Sequence, residues 1–135
     1  MDTTAAVNSI FPKGDKAPAD YFTGTTWIKS LVPADDIFNC QIGNVVFDPG
    51  ARNNWHTHAG GQILIATNGV GYYQEKGKPR QVLHKGDVVK IPPDVVHWHG
   101  ASADSEFTHI AINTNTDKGI VVWLDPVTDE EYKSL

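Results

Sequence analysis

Residues 50–69 read GARNNWHTHAGGQILIATNG, and this stretch predicts two strands joined by a tight turn. His56 and His58 are one residue apart. Because successive side chains of a strand point to opposite faces, both imidazoles face the same way, as ligands of one metal ion must. The glycine pair at 60–61 lets the chain turn, and we expect Gln62 to return opposite His58 on the neighbouring strand of a hairpin.

A second histidine pair, His97 and His99, repeats this spacing further along the chain. With His109 added, five of the six histidines fall in this set. The leading hypothesis from these residues alone is a site for one metal ion.

The composition predicts one compact domain that acts on a small molecule. The chain has 135 residues, 40% of them hydrophobic, which is enough for one core and too little for two ordinary domains. The net charge of −5 and the lack of a basic cluster argue against nucleic acid and against an anionic membrane surface as partners. A small neutral or polar substrate fits this charge better.

The N-terminal residues and the cysteine content predict a cytoplasmic protein. The start of the chain lacks the basic and apolar regions of a signal peptide, and no apolar run approaches the length of a membrane span. Cys40 is the single cysteine, which excludes an internal disulfide and agrees with a reducing compartment.

The middle of the chain predicts an all-β domain. Short segments with strand character are separated by turn residues, and no window sustains the apolar period of a helix. Their number and spacing favour an antiparallel sandwich or barrel over residues 25–135, preceded by an irregular arm at residues 1–24. The predicted strands are Thr26–Leu31, Phe38–Phe47, Asn53–His58, Gln62–Thr67, Val70–Glu75, Gln81–Leu83, Val88–Ile91, Val96–Gly100, Glu106–Asn113 and Ile120–Leu124.

Local signals predict two hairpin turns and one helix start. Asn68-Gly69 and Lys76-Gly77 are typical of hairpins, because glycine tolerates the positive φ that tight turns require. Thr128, followed three residues later by Glu131, has the form of a capping box and predicts a short helix near the end of the chain.

The spacing around the histidines resembles the two sequence motifs of the cupin superfamily. The first motif matches at its fixed positions, except that Gln62 stands where glutamate is usual. In the second motif Asp94 and Ala101 replace a usual glycine and asparagine, and neither position is a ligand. The matching residues are Gly50, His56, His58 and Gly69 in the first motif and Gly86, Pro92 and His97 in the second.

The cupin resemblance implies a double-stranded β-helix, or jelly-roll barrel, that holds a divalent metal ion through His56, His58, Gln62 and His97. Three imidazoles and one amide oxygen suit Mn, Fe, Co, Ni or Zn. All four ligands are neutral, whereas a carboxylate about 4 Å from a bound alkoxide, at an effective dielectric of ~20, would disfavour that alkoxide by roughly 4 kcal/mol. We therefore expect Gln62 to leave a stronger Lewis acid.

Two further histidines are candidates for proton transfer. His99 is two residues beyond His97 and is expected to face the same interior. His109 shares one strand face with Ala111 and Asn113; this face lines the pocket if the isoleucines at 110 and 112 pack elsewhere, which we favour, and is exposed if they point inward. A neutral imidazole can serve as general base or acid near neutral pH. His84 is predicted to be a solvated turn residue.

Longer segments resemble the small bacterial cupins that include manganese-dependent hydroxynitrile lyases. The matching strings lie at residues 55–58, 97–101 and 127–132, and the similarity extends from Ala19 to Tyr132. This resemblance implies manganese at the four ligands and a pocket that includes Phe47, His99 and His109.

The same resemblance implies reversible cleavage of an aromatic cyanohydrin to an aldehyde and hydrogen cyanide, with His99 or His109 moving the proton. Val45 and Leu64 are expected to add apolar walls to the pocket. Asn53 and Asn113 are also pocket candidates, and they stand where a threonine and a glutamine would be expected. The resemblance therefore predicts the substrate less directly than it predicts the fold.

Two other functions are also compatible with the sequence. The chain could be a cupin dioxygenase or oxidase, in which iron or copper binds substrate and dioxygen together, or a non-catalytic, metal-gated binding protein.

A homo-oligomer, either a dimer or a tetramer, is expected, with a second subunit covering outer faces of the barrel. The residues assigned to these outer faces are Trp27, Ile28, Trp123 and Leu124.

Overall fold

The computed structural model describes residues 10–134 and consists almost entirely of short antiparallel strands. A single turn of 3₁₀-helix lies at Thr116–Lys118, and the helix α1 lies at Asp129–Lys133. The strands are β1 (Asp15–Lys16), β2 (Phe22–Thr23), β3 (Thr26–Val32), β4 (Cys40–Phe47), β5 (Arg52–Asn53), β6 (His56–Thr57), β7 (Gln62–Glu75), β8 (Gln81–His84), β9 (Val88–Ile91), β10 (His97–Ala101), β11 (Phe107–Thr114) and β12 (Val122–Trp123).

The first sheet has the order β1-β3-β4-β11-β7-β9, with every neighbouring pair antiparallel. Alternation along β11 places His109, Ala111 and Asn113 on the inner face. Ile110 and Ile112 therefore face outward, where they are half-buried. This is the orientation that the sequence favoured.

The second sheet has the order β2-β5-β10-β7-β8, and β6 and β12 continue it beside β10. Strand β7 belongs to both sheets, so the structure is a curled sheet and the predicted all-β jelly-roll architecture is confirmed. The core between the sheets consists of Phe22, Val45, Phe47, Ala51, Leu64, Ala66, Tyr73, Leu83, Ile91, Ala101 and Phe107.

The prediction of a hairpin turn at Asn68-Gly69 is wrong, because both residues lie inside β7, where the strand passes from the first sheet to the second. The register between β7 and β11 shifts at this point, between Thr108 and His109. Gly69 has a φ of 77°, and a side chain there would collide with the carbonyl oxygen of Glu106. The glycine permits a bulge and bend within one strand. In contrast, Lys76-Gly77 does connect the antiparallel pair β7 and β8.

The predicted hairpin between His58 and Gln62 is also wrong. Strand β6 pairs with β10 and β12, whereas Gln62 pairs with residues of β9 and β11 in the first sheet. The glycine pair at 60–61 carries the chain from one sheet to the other, and a side chain on Gly60 would meet the carbonyl oxygen of Thr114. His58 and Gln62 therefore approach each other from facing sheets.

Several predicted strands are shorter or divided. The segment predicted at 53–58 forms β5 and β6 separately, because the intervening backbone N–H groups of Asn54 and Trp55 bond to the carbonyls of Tyr21 and Asp125. The strand predicted at 120–124 is reduced to β12. In the predicted N-terminal arm, β1 pairs with β3 and β2 with β5, and residues 1–9 of that arm lie outside the described residues.

The capping box predicted at the terminal helix is confirmed. The Thr128 side chain accepts from the Glu131 backbone N–H at 3.1 Å, and the Glu131 carboxylate accepts from the Thr128 N–H at 3.0 Å. Val127, which precedes the helix, and Tyr132 within it pack against Trp55 and Trp98 on the outer face of the second sheet. Within residues 10–134, no helix has the length and apolar character needed to cross a bilayer.

Candidate metal centre and pocket

A cavity of about 250 Å³ lies between the two sheets. This volume is near the lower end of small-molecule pockets, which run from ~300 to 1,000 Å³, so the cavity suits a small ligand. Its polar lining consists of histidines, amides and Ser30, and apolar groups form the rest. The lining side chains include His56, His58, His99 and His109, the amides of Gln41, Asn53, Gln62 and Asn113, and the apolar groups of Phe22, Ile28, Val45, Ala111 and Trp123.

The three predicted imidazole ligands have their tautomers fixed by the backbone. In each ring Nδ1 lies within hydrogen-bond distance of a carbonyl oxygen, which can only accept, so Nδ1 carries the proton and Nε2 keeps its lone pair. The Nδ1–oxygen distances are 2.7 Å from His56 to Asn54, 2.6 Å from His58 to Ile120 and 2.9 Å from His97 to Val95.

These rings converge with Gln62 in the way that a cation site requires. The ring centroids lie 4.2 Å apart for His56 and His97, 4.9 Å for His56 and His58, and 5.5 Å for His58 and His97. Gln62 Oε1 lies 3.3 Å from His97 Nε2, so two lone pairs face each other. Among the described residues, the buried His58 Nε2 has no hydrogen-bond partner. A divalent cation would satisfy all of these donor atoms, so the residues fit the group that the family implies.

His99 is an alternative third imidazole, since nitrogen atoms of His56, His97 and His99 lie within 4.8 Å of one another. However, Asn53 Nδ2 lies 3.2 Å from His99 Nε2, and His109 Nε2 lies 3.0 Å from His99 Nδ1. Both nitrogens of His99 thus lie within hydrogen-bond distance of a polar side chain, whereas His58 Nε2 has no hydrogen-bond partner among the described residues. The hydrogen bonds favour His58 as the ligand.

Burial lowers the pKa of all five clustered histidines. It lowers the pKa of His97 to about 4 and that of His109 to about 3. Burial, followed by the charge of neighbouring histidines, holds the pKa values of His56 and His99 well below the usual range. The pKa of His58 is also lowered by burial, and the Ile120 carbonyl and the Gln62 amide oppose this shift. At neutral pH these rings are uncharged and have lone pairs available.

His99 and His109 form a buried pair beside the three rings. Their imidazoles are 4.7 Å apart between centroids and nearly perpendicular, with an interplanar angle of 71°. Asn53 supports this pair, because its Oδ1 accepts from the His99 backbone N–H at 2.9 Å. Phe47 packs edge-on against His99 at 6.0 Å and against His109 at 5.5 Å. The arrangement can accept or return one proton next to the metal centre.

The other predicted pocket residues divide into two groups. Val45, Asn53 and Asn113 line the cavity. Phe47 and Leu64 are 0% and 1% exposed, and they lie in the core behind the cavity wall. Phe47 therefore supports the histidine pair from the core side.

Sequence interpretation missed one wall of the cavity and misplaced two of its residues. Ile28 and Trp123, assigned to outer faces for a second subunit, line the cavity, so that assignment is wrong. Phe22, which the sequence placed in the irregular arm, also lines it. Trp123 stacks on Tyr21 at 4.8 Å and lies 5.0 Å from His56. The orientations of Phe22 and Trp123 depend on β2 and β12 joining the second sheet, which no local pattern signals.

The fold and the histidine cluster together define a cupin centre, and the chain belongs to the cupin family. The model of the cupin domain matches residues 43–124, which include both histidine pairs and Gln62.

Particular relatives are similar over most of the chain. It is 46% identical over 118 residues to a protein named (R)-mandelonitrile lyase from Granulicella tundricola, covering 87% of this chain and 90% of that protein. A crystal structure of a cupin-like protein from Thermotoga maritima matches with a TM-score of 0.91 and 56% identity over 93% of this chain and 95% of that one. A cupin 2 conserved barrel domain protein from Salinispora arenicola matches with a TM-score of 0.56 and 27% identity, covering 64% of this chain and 73% of that chain.

Proposed function

We propose that this protein is a manganese-dependent hydroxynitrile lyase, which reversibly cleaves an aromatic cyanohydrin to an aldehyde and hydrogen cyanide. One observation carries the proposal. A neutral set of metal donors, three of which line a small cavity, lies beside a buried, neutral histidine pair, in a chain 46% identical to a protein named (R)-mandelonitrile lyase.

A divalent ion held by His56, His58, Gln62 and His97 would supply a Lewis acid for the substrate oxygen. The histidine pair takes the hydroxyl proton, because each neutral imidazole has one basic nitrogen. As the carbonyl double bond forms, the bond to the nitrile carbon breaks and cyanide leaves with the electron pair. The same pair then returns the proton to cyanide, so that the products are one aldehyde and one molecule of hydrogen cyanide.

The apolar wall supports an aromatic substituent on the substrate. Phe22 packs at 5.7 Å against Trp123 with an interplanar angle of 62°, and Ile28 and Val45 line the same cavity. Burial of an aryl ring here is favourable by about 25 cal/mol per Å² of apolar surface removed from water. The cavity volume of about 250 Å³ restricts this ring to a small one.

The test is the rate of benzaldehyde formation from mandelonitrile by manganese-loaded protein, compared with metal-free protein. We expect manganese-dependent turnover that falls by about 10²–10⁴-fold in His109→Ala. His84→Ala is the matched control and should keep the wild-type rate, since His84 is exposed on β8. The lyase proposal fails if protein with bound manganese produces no benzaldehyde above the metal-free rate. Iron-dependent oxygen consumption would instead support an oxygenase, and ligand binding without turnover a binding protein.

We also propose a cytoplasmic homo-oligomer, either a dimer or a tetramer. The single cysteine supports a reducing compartment. On the outer face of the first sheet, Val88 is 59% exposed beside the half-buried Ile63 and Ile65, which supports coverage by a second copy. Light scattering after size exclusion would give the mass, and a monomer at micromolar concentration would contradict the oligomer.

A further inference from the structure

Three amide side chains form a row across the inner face of the first sheet. Gln41 of β4 lies directly opposite Asn113 of β11, and Asn113 lies directly opposite Gln62 of β7. All three line the cavity. Directly opposed residues have Cβ atoms about 4.5–5.5 Å apart, so neighbouring amides in such a row can bond to each other.

The hydrogen bonds along this row all run in one direction. Gln62 Nε2 donates to Asn113 Oδ1 at 3.0 Å, and Asn113 Nδ2 donates to Gln41 Oε1 at 2.8 Å. An amide has one donor end and one acceptor end, so the orientation of each group determines that of the next. With the row in this direction, Gln62 turns its oxygen, and not its nitrogen, towards His97.

The orientation of Gln62 matters because the two ends of its amide have opposite effects on a cation. The oxygen has lone pairs, whereas the amide nitrogen would present two N–H groups. His97 Nε2 faces the Gln62 oxygen at 3.3 Å. Without an ion, His97 would favour the flipped amide, because its Nε2 could then accept a hydrogen bond from the Gln62 amide nitrogen. A glutamate at this position would present an oxygen either way. The glutamine needs a partner that holds it.

We propose that Gln41 and Asn113 are positioning residues that hold the Gln62 amide oxygen towards the metal ion. The inference rests on the metal centre of the proposed function and gives Asn113 a role other than substrate contact. Donation from Gln62 Nε2 also polarises its amide and increases the negative charge on Oε1, which strengthens its attraction to a cation.

The experiment measures the affinity of metal-free protein for Mn²⁺ alone, by competition with a chelator. Residues behind metal ligands typically change affinity by about 10–100-fold, so we expect Asn113→Leu to weaken binding by about 10-fold and Gln41→Leu by about 3-fold. Gln81→Leu makes the same chemical change at an exposed position of β8 and should keep the wild-type affinity. Unchanged affinity in folded Asn113→Leu and Gln41→Leu would overturn the proposal.

A double-mutant cycle separates positioning from a general structural effect. In Gln62→Ala no amide remains to be oriented, so adding Asn113→Leu should change the Mn²⁺ affinity by less than about twofold. An equal loss in both backgrounds would overturn the proposal, and Gln41→Leu provides the same cycle if Asn113→Leu does not fold. Mandelonitrile turnover distinguishes the two proposals. If Mn²⁺ affinity falls in a way that depends on Gln62 but no turnover is seen, the lyase proposal fails and the positioning role stands. If turnover is seen but the variants keep the wild-type Mn²⁺ affinity, the positioning role fails and the lyase proposal stands.

Discussion

The two faces of strand β10 are equally buried but differ in the hydrogen-bond partners of their polar atoms. His97 on the inner face and Trp98 on the outer face are both 0% exposed. Trp98 Nε1 donates to Gln74 Oε1 at 2.9 Å beneath the terminal helix, so its single polar atom is paired. His97 Nε2 instead faces the oxygen of Gln62 and has a lone pair left for a cation.

On the neighbouring strand β5, the inner and outer residues also have different partners. Asn53 faces the histidine pair, whereas Arg52 bonds to the Val127 carbonyl and to Asp129, each at 2.8 Å, and lies 4.5 Å over the Tyr132 ring. On β10 and β5 of the second sheet, the outer face thus stabilises the fold through completed contacts. On the inner face, His58 Nε2 has no hydrogen-bond partner among the described residues and His97 Nε2 faces an oxygen, an arrangement that a bound cation would stabilise.

The largest expected effect is on the outer face. Trp98→Ala should lower the free energy of unfolding of metal-free protein by about 3–5 kcal/mol, because it leaves a cavity under the helix. Urea denaturation measures this loss. The molecules that stay folded should bind Mn²⁺ with near wild-type affinity. A decrease of less than about 1 kcal/mol in the free energy of unfolding would contradict the proposed division between the faces.

The next effect concerns the adjacent residue on the inner face. His97→Ala should weaken Mn²⁺ binding by about 100-fold or more, since it removes a ligand and not a residue behind one. Chelator competition measures the affinity, and urea denaturation of the metal-free protein should show a smaller loss than Trp98→Ala. A variant that binds Mn²⁺ within about tenfold of wild type would contradict the ligand assignment.

A smaller effect is the acid sensitivity that His109 gives to the metal-free protein. Its pKa is about 3 when folded and near 6.5 when unfolded, so between these values the unfolded chain binds one more proton. The stabilising contribution is complete above pH 6.5 and is lost as the pH falls towards 3, at roughly 1.4 kcal/mol per pH unit. Urea midpoints at pH 7 and pH 5 should therefore differ more for wild type than for His109→Gln. Equal differences would show that His109 does not stay neutral in the fold.

The smallest effect is expected at the capping box. Thr128→Ala should lower the free energy of unfolding by about 1 kcal/mol, because the Glu131 backbone N–H loses its acceptor. Thr128→Ser should restore most of this stability. Both variants should keep the Mn²⁺ affinity, and a change in affinity would mean that the outer face is coupled to the site.

Much of the fold and part of the site could be predicted because they depend on local spacing. The capping box at Thr128, the strand alternation around His109 and the turn at Lys76-Gly77 all follow from contacts a few residues apart. Gly69 misled the prediction, because a bulge inside a strand and a tight turn both need a positive φ. The lengths of β5 and β6 were missed because distant carbonyls set them.

The sequence by itself determined which donors this protein has: the paired histidines, the neutral Gln62 and the motif spacing of the cupin family. The tertiary structure decided which of them meet. Gln62 reaches His97 from the facing sheet, Gln41 reaches Gln62 through Asn113, and Trp123 turns into the cavity. The physical reason is that strand register and sheet closure bring together residues far apart in the chain, and these depend on the summed packing of the whole barrel.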